Sequence, residues 1–394
     1  MQLKLTKYLL AILLILKHLS LGLGQITINV NQLKYDNTTV LNNQNFNPSG
    51  TGPDQATSNN SQGPNPVLLP NNSSSIQKEI VFIRFSPYFG VEYGPNVESR
   101  ADDKYSIDEI KKMLKVILTK SNSILTYSMG IWYSKHTGSL GETSYSLTAT
   151  AAAQLNKEYN KQLLSISQGA SILLDGENSA QPDIENAFLS AQQANGIYFN
   201  TVSSITFRVG AGYVEDQQSG QRAITEIRKQ KLRAHGMGLK VGIRVNICGD
   251  IQGGPNQQML TELATTADYF VCSVYPPFAI AEPSDFVNYV TSTLTTYKSA
   301  FAKVAPNLEI VFRTGLASEG DSYKNPAYMN TPQKSKDLWD RLQSWVEQNK
   351  VRVFMHEAFD TPASLAWNDG HSGYWKAVGN GNYVEKGTGQ VVNV

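Results

Sequence analysis

Charge of one sign is what this chain lacks first. Its 394 residues carry 34 Lys and Arg against 33 Asp and Glu, a formal net charge of +1. That balance gives no electrostatic case for nucleic acid or a strongly anionic partner, since both are recognised through an excess of basic charge. Cysteine is nearly absent too. Cys248 and Cys272 are too few for a disulfide-built scaffold, and both fall in strand-like apolar runs, where thiols are ordinarily plain buried residues. Secretion would nevertheless permit them to pair. His18, His136, His235, His356 and His371 show no H-x-x-x-H spacing, no G-x-S-x-G elbow occurs, and neither cysteine lies beside a histidine. Zinc, serine and cysteine hydrolase chemistry therefore has no support, and no metal or cofactor is expected.

Long hydrophobic runs are missing except at the N-terminus. There Lys4 and Lys7 precede the apolar run Tyr8–Leu16, and Gly22 and Gly24 offer a cleavage site before Gln25. This is a secretory signal pattern over residues 1–24. The other reading, an uncleaved anchor, is weakened by Lys17 and His18, which cut the run below the ~20 residues a span needs. Between Asp36 and Gln77 there is no lysine or arginine, and Asn, Ser, Gly, Pro and Thr crowd the segment. Such a stretch cannot bury enough apolar surface to offset its chain entropy, so residues 25–78 are expected to form a disordered linker. Acceptor sequons begin at Asn37, Asn59, Asn71 and Asn72, candidate glycan sites in a secreted chain.

From Glu79 onward the texture changes, and 41% apolar residues overall suffice for a sizeable core. Strand-like runs alternate with helical patterns: VFIRFSPYF, then SIDEIKKMLKVIL, SILTYSMG, TATAAAQLNKEYNKQLL, SQGASILLDG, DIENAFLSAQQA and ITFRVG. The alternation continues through AITEIRKQKLRAHG, KVGIRVNI, QMLTELATTA, YFVCSVYP, DFVNYVTSTLTTYKSAFAKV, EIVFRTG, SKDLWDRLQSWVEQN and RVFMHEAFD. Eight short strands, apolar on both faces and separated by helices, predict a closed (β/α)8 TIM barrel over residues 79–388, with 389–394 as a tail.

In such a barrel the chemistry lies at the C-terminal strand ends. Tyr88, Tyr127, Asp175, Tyr275, Arg313, Glu357 and Asp360 fall there. A rim rich in rings and poor in charge suits a neutral, flat ligand such as a sugar, although any single ring can equally cap the core. The stretch VGAGYVED after strand four matches only the first two glycines of a dinucleotide loop, Gly210 and Gly212. Its third position is Glu215, too large for the close packing that motif needs. A plain glycine turn accounts for it as well.

FSPYFG from Phe85, ILTYSMG from Ile124, SSITFRVG from Ser203, VYPPF at Val274–Phe278, RTGLAS at Arg313–Ser318 and HEAFDTP at His356–Pro362 occur in register with the strands. Together they resemble glycoside hydrolase family 17, the β-1,3-glucanases and glucan transglycosylases. The resemblance implies a barrel whose open cleft binds β-1,3-glucan, with a retaining mechanism run by two glutamates ~5–5.5 Å apart. It also implies where those glutamates belong: the acid/base at Gly212 and the nucleophile at Arg313, so both are replaced here. Glycine cannot carry a proton. Arginine stays protonated and would oppose an oxocarbenium-like transition state. Leu316 and Ala317 replace the motif's aromatic and proline, and Thr361-Pro362-Ala363-Ser364 departs from the family's Glu-Pro-Trp-Lys.

The expectation is a secreted barrel, extracellular or held at a wall or matrix, that binds β-glucan-type carbohydrate with glycosidase activity lost or much reduced. Tyr88, Tyr127, Tyr275, Phe278, Glu357 and Phe359 are its cleft candidates, and no membrane contact is expected after signal cleavage. Two alternatives stay open. One is an active retaining glucanase or transglycosylase with relocated carboxylates, Glu357 and Glu215 first. The other is a secreted structural barrel with no sugar ligand. Glu319 lies six residues past Arg313, and Glu309 starts strand seven at the wrong end for chemistry. An ion pair between Arg313 and Glu357 across neighbouring strand ends is expected.

Overall fold

The computed structural model describes residues 86–98, 104–129, 143–172, 181–210, 216–276, 282–318, 331–361 and 369–394. Contacts divide the chain into Met1–Ser75 and Ile76–Val394, and every described residue belongs to the second unit. The leader, the low-complexity segment and the four sequons lie outside the described residues.

Eight parallel strands close a barrel in sequential order: β1 (Phe89–Tyr93), β2 (Ser123–Thr126), β3 (Ser165–Ser171), β4 (Val202–Arg208), β5 (Lys240–Val245), β6 (Tyr269–Ser273), β7 (Glu309–Thr314) and β8 (Val353–Met355). Between successive strands run α1 (Ile107–Ile117), α2 (Ser144–Glu158), α3 (Gln181–Ile197), α4 (Gln217–Gly236), α5 (Gln257–Thr266), α6 (Pro283–Ala302) and α7 (Pro332–Asn349). After β8 the described residues hold no α-helix, only the 3-10 turn Asp369–His371. Instead, β9 (Trp375–Ala377) and β10 (Tyr383–Glu385) form an antiparallel hairpin. No helix among the described residues is long and apolar enough to cross a membrane.

Local chemistry explains the element ends. Ser106 begins α1 as half of a capping box: its hydroxyl accepts from the Glu109 amide, and the Glu109 carboxylate accepts from the Ser106 amide. Ile110, Met113, Leu114 and Ile117 then recur on one buried face. Proline opens α6 and α7, where its missing amide hydrogen costs no helical bond. Lys350 ends α7 in the left-handed region at φ 52°.

The lower barrel interior is filled by Leu125, Tyr269, Val271, Val311 and Phe354, all fully buried. Gly242 stands beside Tyr269 in the β5–β6 register, and a Cβ there would stand inside the tyrosine ring. The Tyr269 hydroxyl bonds Ser204 Oγ at 2.9 Å, and Arg352 lies over the ring at 4.6 Å while pairing with Glu309 at 3.2 Å. Glu309 thus sits at the bottom of the barrel, away from the chemistry end.

Two expectations need correction here. The first strand, read as Val81–Phe89, is described at Phe89–Tyr93, so Tyr88 precedes it and sits at the N-terminal end rather than the mouth. The cysteines are buried as expected but are bonded to each other, with Cα atoms 5.7 Å apart. The reason is that Cys248 lies in the 3-10 turn Cys248–Gln252 after β5, not in the strand, and so faces Cys272 of β6. Closing a loop across a sequence separation of 24 contributes about 3.5 kcal/mol of stability on chain-entropy grounds.

Candidate functional site

The mouth is positioned by short strands and by backbone ties above them. Asp183, buried in the first turn of α3, accepts from the amides of Met129 at 3.0 Å and Ser171 at 2.7 Å, which ties the upper ends of β2 and β3. Gly169 lets β3 run close beneath Tyr127; a Cβ there would collide with the Thr126 and Tyr127 backbone.

At the centre is Glu92, one residue before the C-terminal end of β1 and wholly buried. One carboxylate oxygen takes Arg244 from β5 and the other takes the Nε of Arg313 from β7. His356 Nδ1 lies 2.9 Å from the second oxygen. Burial alone would push this carboxyl up. Arg313, Arg244 and His356 outweigh it and hold its pKa well below the usual carboxylate range. Arg313 is correspondingly held charged: burial works against its guanidinium, and the nearby Glu92 carboxylate prevails. Burial, opposed by Glu92 and reinforced by repulsion from Arg313 and Arg208, lowers Arg244. Arg313 also donates to the hydroxyl of Tyr275 and to Ser273 Oγ at 3.5 Å, and its guanidinium lies 3.0 Å from His356 Nδ1.

Above this layer lies Glu357, just past β8 and joined to His356 by a cis peptide. It is only 4% exposed, and each of its oxygens accepts one hydroxyl, from Tyr127 at 2.6 Å and Thr361 at 2.6 Å. Burial is the main force on this carboxyl and raises its pKa; the hydroxyl bonds and His356 pull the other way and do not win. The Tyr127 hydroxyl is also 2.9 Å from His356 Nδ1, and so links the two carboxyl groups through one network. Burial and the neighbouring Glu357 and Glu92 carboxylates push the Tyr127 phenol well up, so it remains a donor.

The structure therefore gathers Tyr127, Tyr275, Arg313 and Glu357 as the sequence predicts, but rearranges their partners. Arg313 pairs with Glu92, not with Glu357. Phe359 is a correction as well. It is 2% exposed and packs against Tyr93, Trp375 and Tyr383 at 6.1, 5.6 and 5.1 Å, in an aromatic cluster under the hairpin rather than in the cleft. Asp360 is also turned to the hairpin, held by Gly373 N at 3.0 Å and Lys386 Nζ at 2.8 Å. Gly212, Glu215, Asp175, Phe278 and Glu319 lie outside the described residues.

Glu92 and Arg244 were not among the expected site residues. The signal was available: ionisable residues inside FGVEY and KVGIRV, strands that must be buried on both faces, call for charged partners across the barrel. Chemically, Glu92 cannot act as a nucleophile here, since both oxygens are occupied and no surface is open to a sugar carbon. Glu357 is a carboxyl that burial holds above its ordinary range, with each oxygen taken by one hydroxyl. Among the described residues no group of His, Cys, Asp and Glu is arranged to hold a metal.

No protein-family model matches the chain, and no curated protein matches it either. Solved structures do resemble it. An endo-laminarinase from Formosa Hel1_33_131 is 19% identical over 72% of this chain and 81% of its own, with a TM-score of 0.56. A glycoside hydrolase family 17 β-1,3-glucanosyltransferase from Rhizomucor miehei is 15% identical over 73% and 93%, with a TM-score of 0.52. An active-site mutant of the Rhizomucor miehei enzyme, in complex with laminaritriose, gives 14% over 74% and 93% and a TM-score of 0.51. At these identities the likeness is one of fold.

Proposed function

We propose that the barrel mouth binds a β-glucan-type carbohydrate and hydrolyses it little or not at all. One observation carries the reading. The strand-seven position that points into the mouth is Arg313, neutralised against the buried Glu92, so Glu357 has no free carboxylate partner among the described residues. Retaining hydrolysis needs two such groups facing one glycosidic bond. Tyr127 and Tyr275 offer rings beside the network, Tyr275 being 43% exposed and available for stacking on a pyranose. The likeness in fold to a laminarinase and to a glucanosyltransferase holding laminaritriose supports a glucan over other neutral polymers. The Cys248–Cys272 bond suits an oxidising compartment, in keeping with the signal pattern and a secreted location.

A second reading has one observation in its favour: the raised pKa of Glu357 suits a general acid, with Glu215 as its partner. Reducing-sugar release from laminarin, read beside a thermal melt in laminarin, separates the two. The melt should shift upward with no release. Release that disappears in Glu357→Gln would establish the hydrolase instead. Neither release nor shift would leave a barrel without a sugar ligand.

A further inference from the structure

The net charge of +1 says nothing of how charge is placed at the barrel mouth. β4 ends in Arg208, and the β4–β5 register pairs Arg208 with Arg244. Paired residues of neighbouring parallel strands project from the same face of the sheet, and the contact of Arg244 with Glu92 identifies that face as the barrel interior. Arg208 therefore projects into the upper barrel from the C-terminal strand end. Unlike the other two arginines it is exposed, and among the described residues its guanidinium has no hydrogen-bond or ion-pair partner. Its charge is felt as repulsion by Arg244.

The described charges of this region are Arg208, Arg244 and Arg313 against Glu92, Glu357 and the buried Asp183, with His356 beside Glu92. Glu92 is already consumed by two of the arginines, Glu357 by the Tyr127 and Thr361 hydroxyls, and Asp183 by the Met129 and Ser171 amides. A neutral glucan has nothing to answer the third. A carboxylate or sulfate group would meet the free guanidinium edge-on through two parallel hydrogen bonds and would relieve its repulsion with Arg244.

We propose that Arg208 is an anion-binding corner of the mouth and that the carbohydrate bound there is acidic, its sugars bearing carboxylate or sulfate groups. This rests on the carbohydrate reading above and narrows it. The arrangement divides recognition between Tyr127 and Tyr275, which offer faces to sugar rings, and Arg208, which takes the substituent. The Arg208 charge is invisible in the composition, where basic and acidic residues nearly balance.

The test compares three ligands by calorimetry with the full chain: laminarin, sulfated laminarin and laminarin oxidised to the C6 carboxylate. At least one charged form should bind about tenfold or more tightly than the neutral one, with the advantage shrinking as salt rises. Arg208→Gln should bring the charged-to-neutral ratio close to one. Lys240→Gln makes the same change in charge at the exposed start of β5, at the opposite end of the barrel, and should leave the ratio intact. Whether the sulfate or the carboxylate form gains identifies the source of the anion. Equal affinity for charged and neutral laminarin would overturn this inference while sparing the carbohydrate reading. A charged preference that persists in Arg208→Gln would overturn it as well, since the anion would then sit elsewhere. Binding of none of the three would remove the carbohydrate reading and this inference with it.

Discussion

The barrel interior has two layers built to opposite rules. Below, Leu125, Tyr269, Val271, Val311 and Phe354 fill the space with apolar volume, and the few polar atoms find neutral hydroxyl partners such as Ser204. Above, the inward positions turn charged: Glu92 two positions past Gly90, Arg244 two past Gly242, Arg313 two past Val311. Each of these side chains is nearly as buried as the apolar ones beneath, yet its burial is tolerable only because the others are present. The lower layer can be varied one residue at a time with losses set by volume. The upper layer stands or falls as a unit. A buried charged network specifies geometry more than it adds stability, which is what a ligand-positioning layer requires and a structural floor does not.

The largest expected effect comes from breaking the upper layer at its centre. Glu92→Gln keeps the shape and leaves two buried guanidiniums without a counter-charge, and should cost about 3–5 kcal/mol. Replacing Glu92 with Leu and both Arg244 and Arg313 with Met should recover most of that loss, because the remaining volume is apolar. Urea unfolding, with midpoints compared at constant slope, measures both. A Glu92→Gln loss below about 1 kcal/mol would mean that water already reaches the upper layer and that the contrast between layers is overstated.

The lower layer offers a smaller and more local test. Gly242→Ala sets a methyl into the Tyr269 ring, which is fully buried and held by Ser204 and Arg352. Overpacking of this kind costs about 1–3 kcal/mol. Combining it with Tyr269→Leu should give less than the sum of the two single losses, since the clash and its cause vanish together. Strict additivity would show that the ring can shift freely and that the layer is packed more loosely than its burial indicates.

These two layers also mark what the chain betrays in its sequence. The eight strands alternate with helices whose limits are written in local chemistry, such as the Ser106–Glu109 box of α1, and so the barrel could be read directly. Tyr127, Tyr275, Arg313 and Glu357 were legible because strand-end position alone places them at the mouth. Glu92 was not. The apolar run beginning at Val81 draws the first strand early, and Gly90 and Glu92 look like strand breakers until Arg244 and Arg313 arrive from strands more than a hundred residues away. The same gap hid the pairing of Arg313, since its nearest acid in the next strand, Glu357, is the obvious but wrong partner. Cys248 was misplaced for a local reason: KVGIRVNIC reads as one continuous strand, whereas the strand stops at Val245.

The finest comparison lies between the two carboxyl groups joined through Tyr127 and His356, because they tie stability to pH with opposite signs. Glu92 has its pKa held below that of the unfolded chain, so its contribution is present above the ordinary carboxyl range of about 4 and is lost as pH falls beneath it. Glu357 has its pKa raised, chiefly by burial. Its folded state is favoured fully below the unfolded value, and stability declines as pH rises through the folded value. Glu357→Gln removes only the second dependence and keeps a polar group between Tyr127 and Thr361. The stability of the variant relative to the parent should therefore increase from about pH 4 upward and level off once the parent carboxyl has ionised. Urea midpoints across the acid-to-neutral range read this difference without any substrate. A difference that stays flat with pH would mean that Glu357 ionises in the folded chain as it does in water, and the proton-donor reading of that residue would lose its basis.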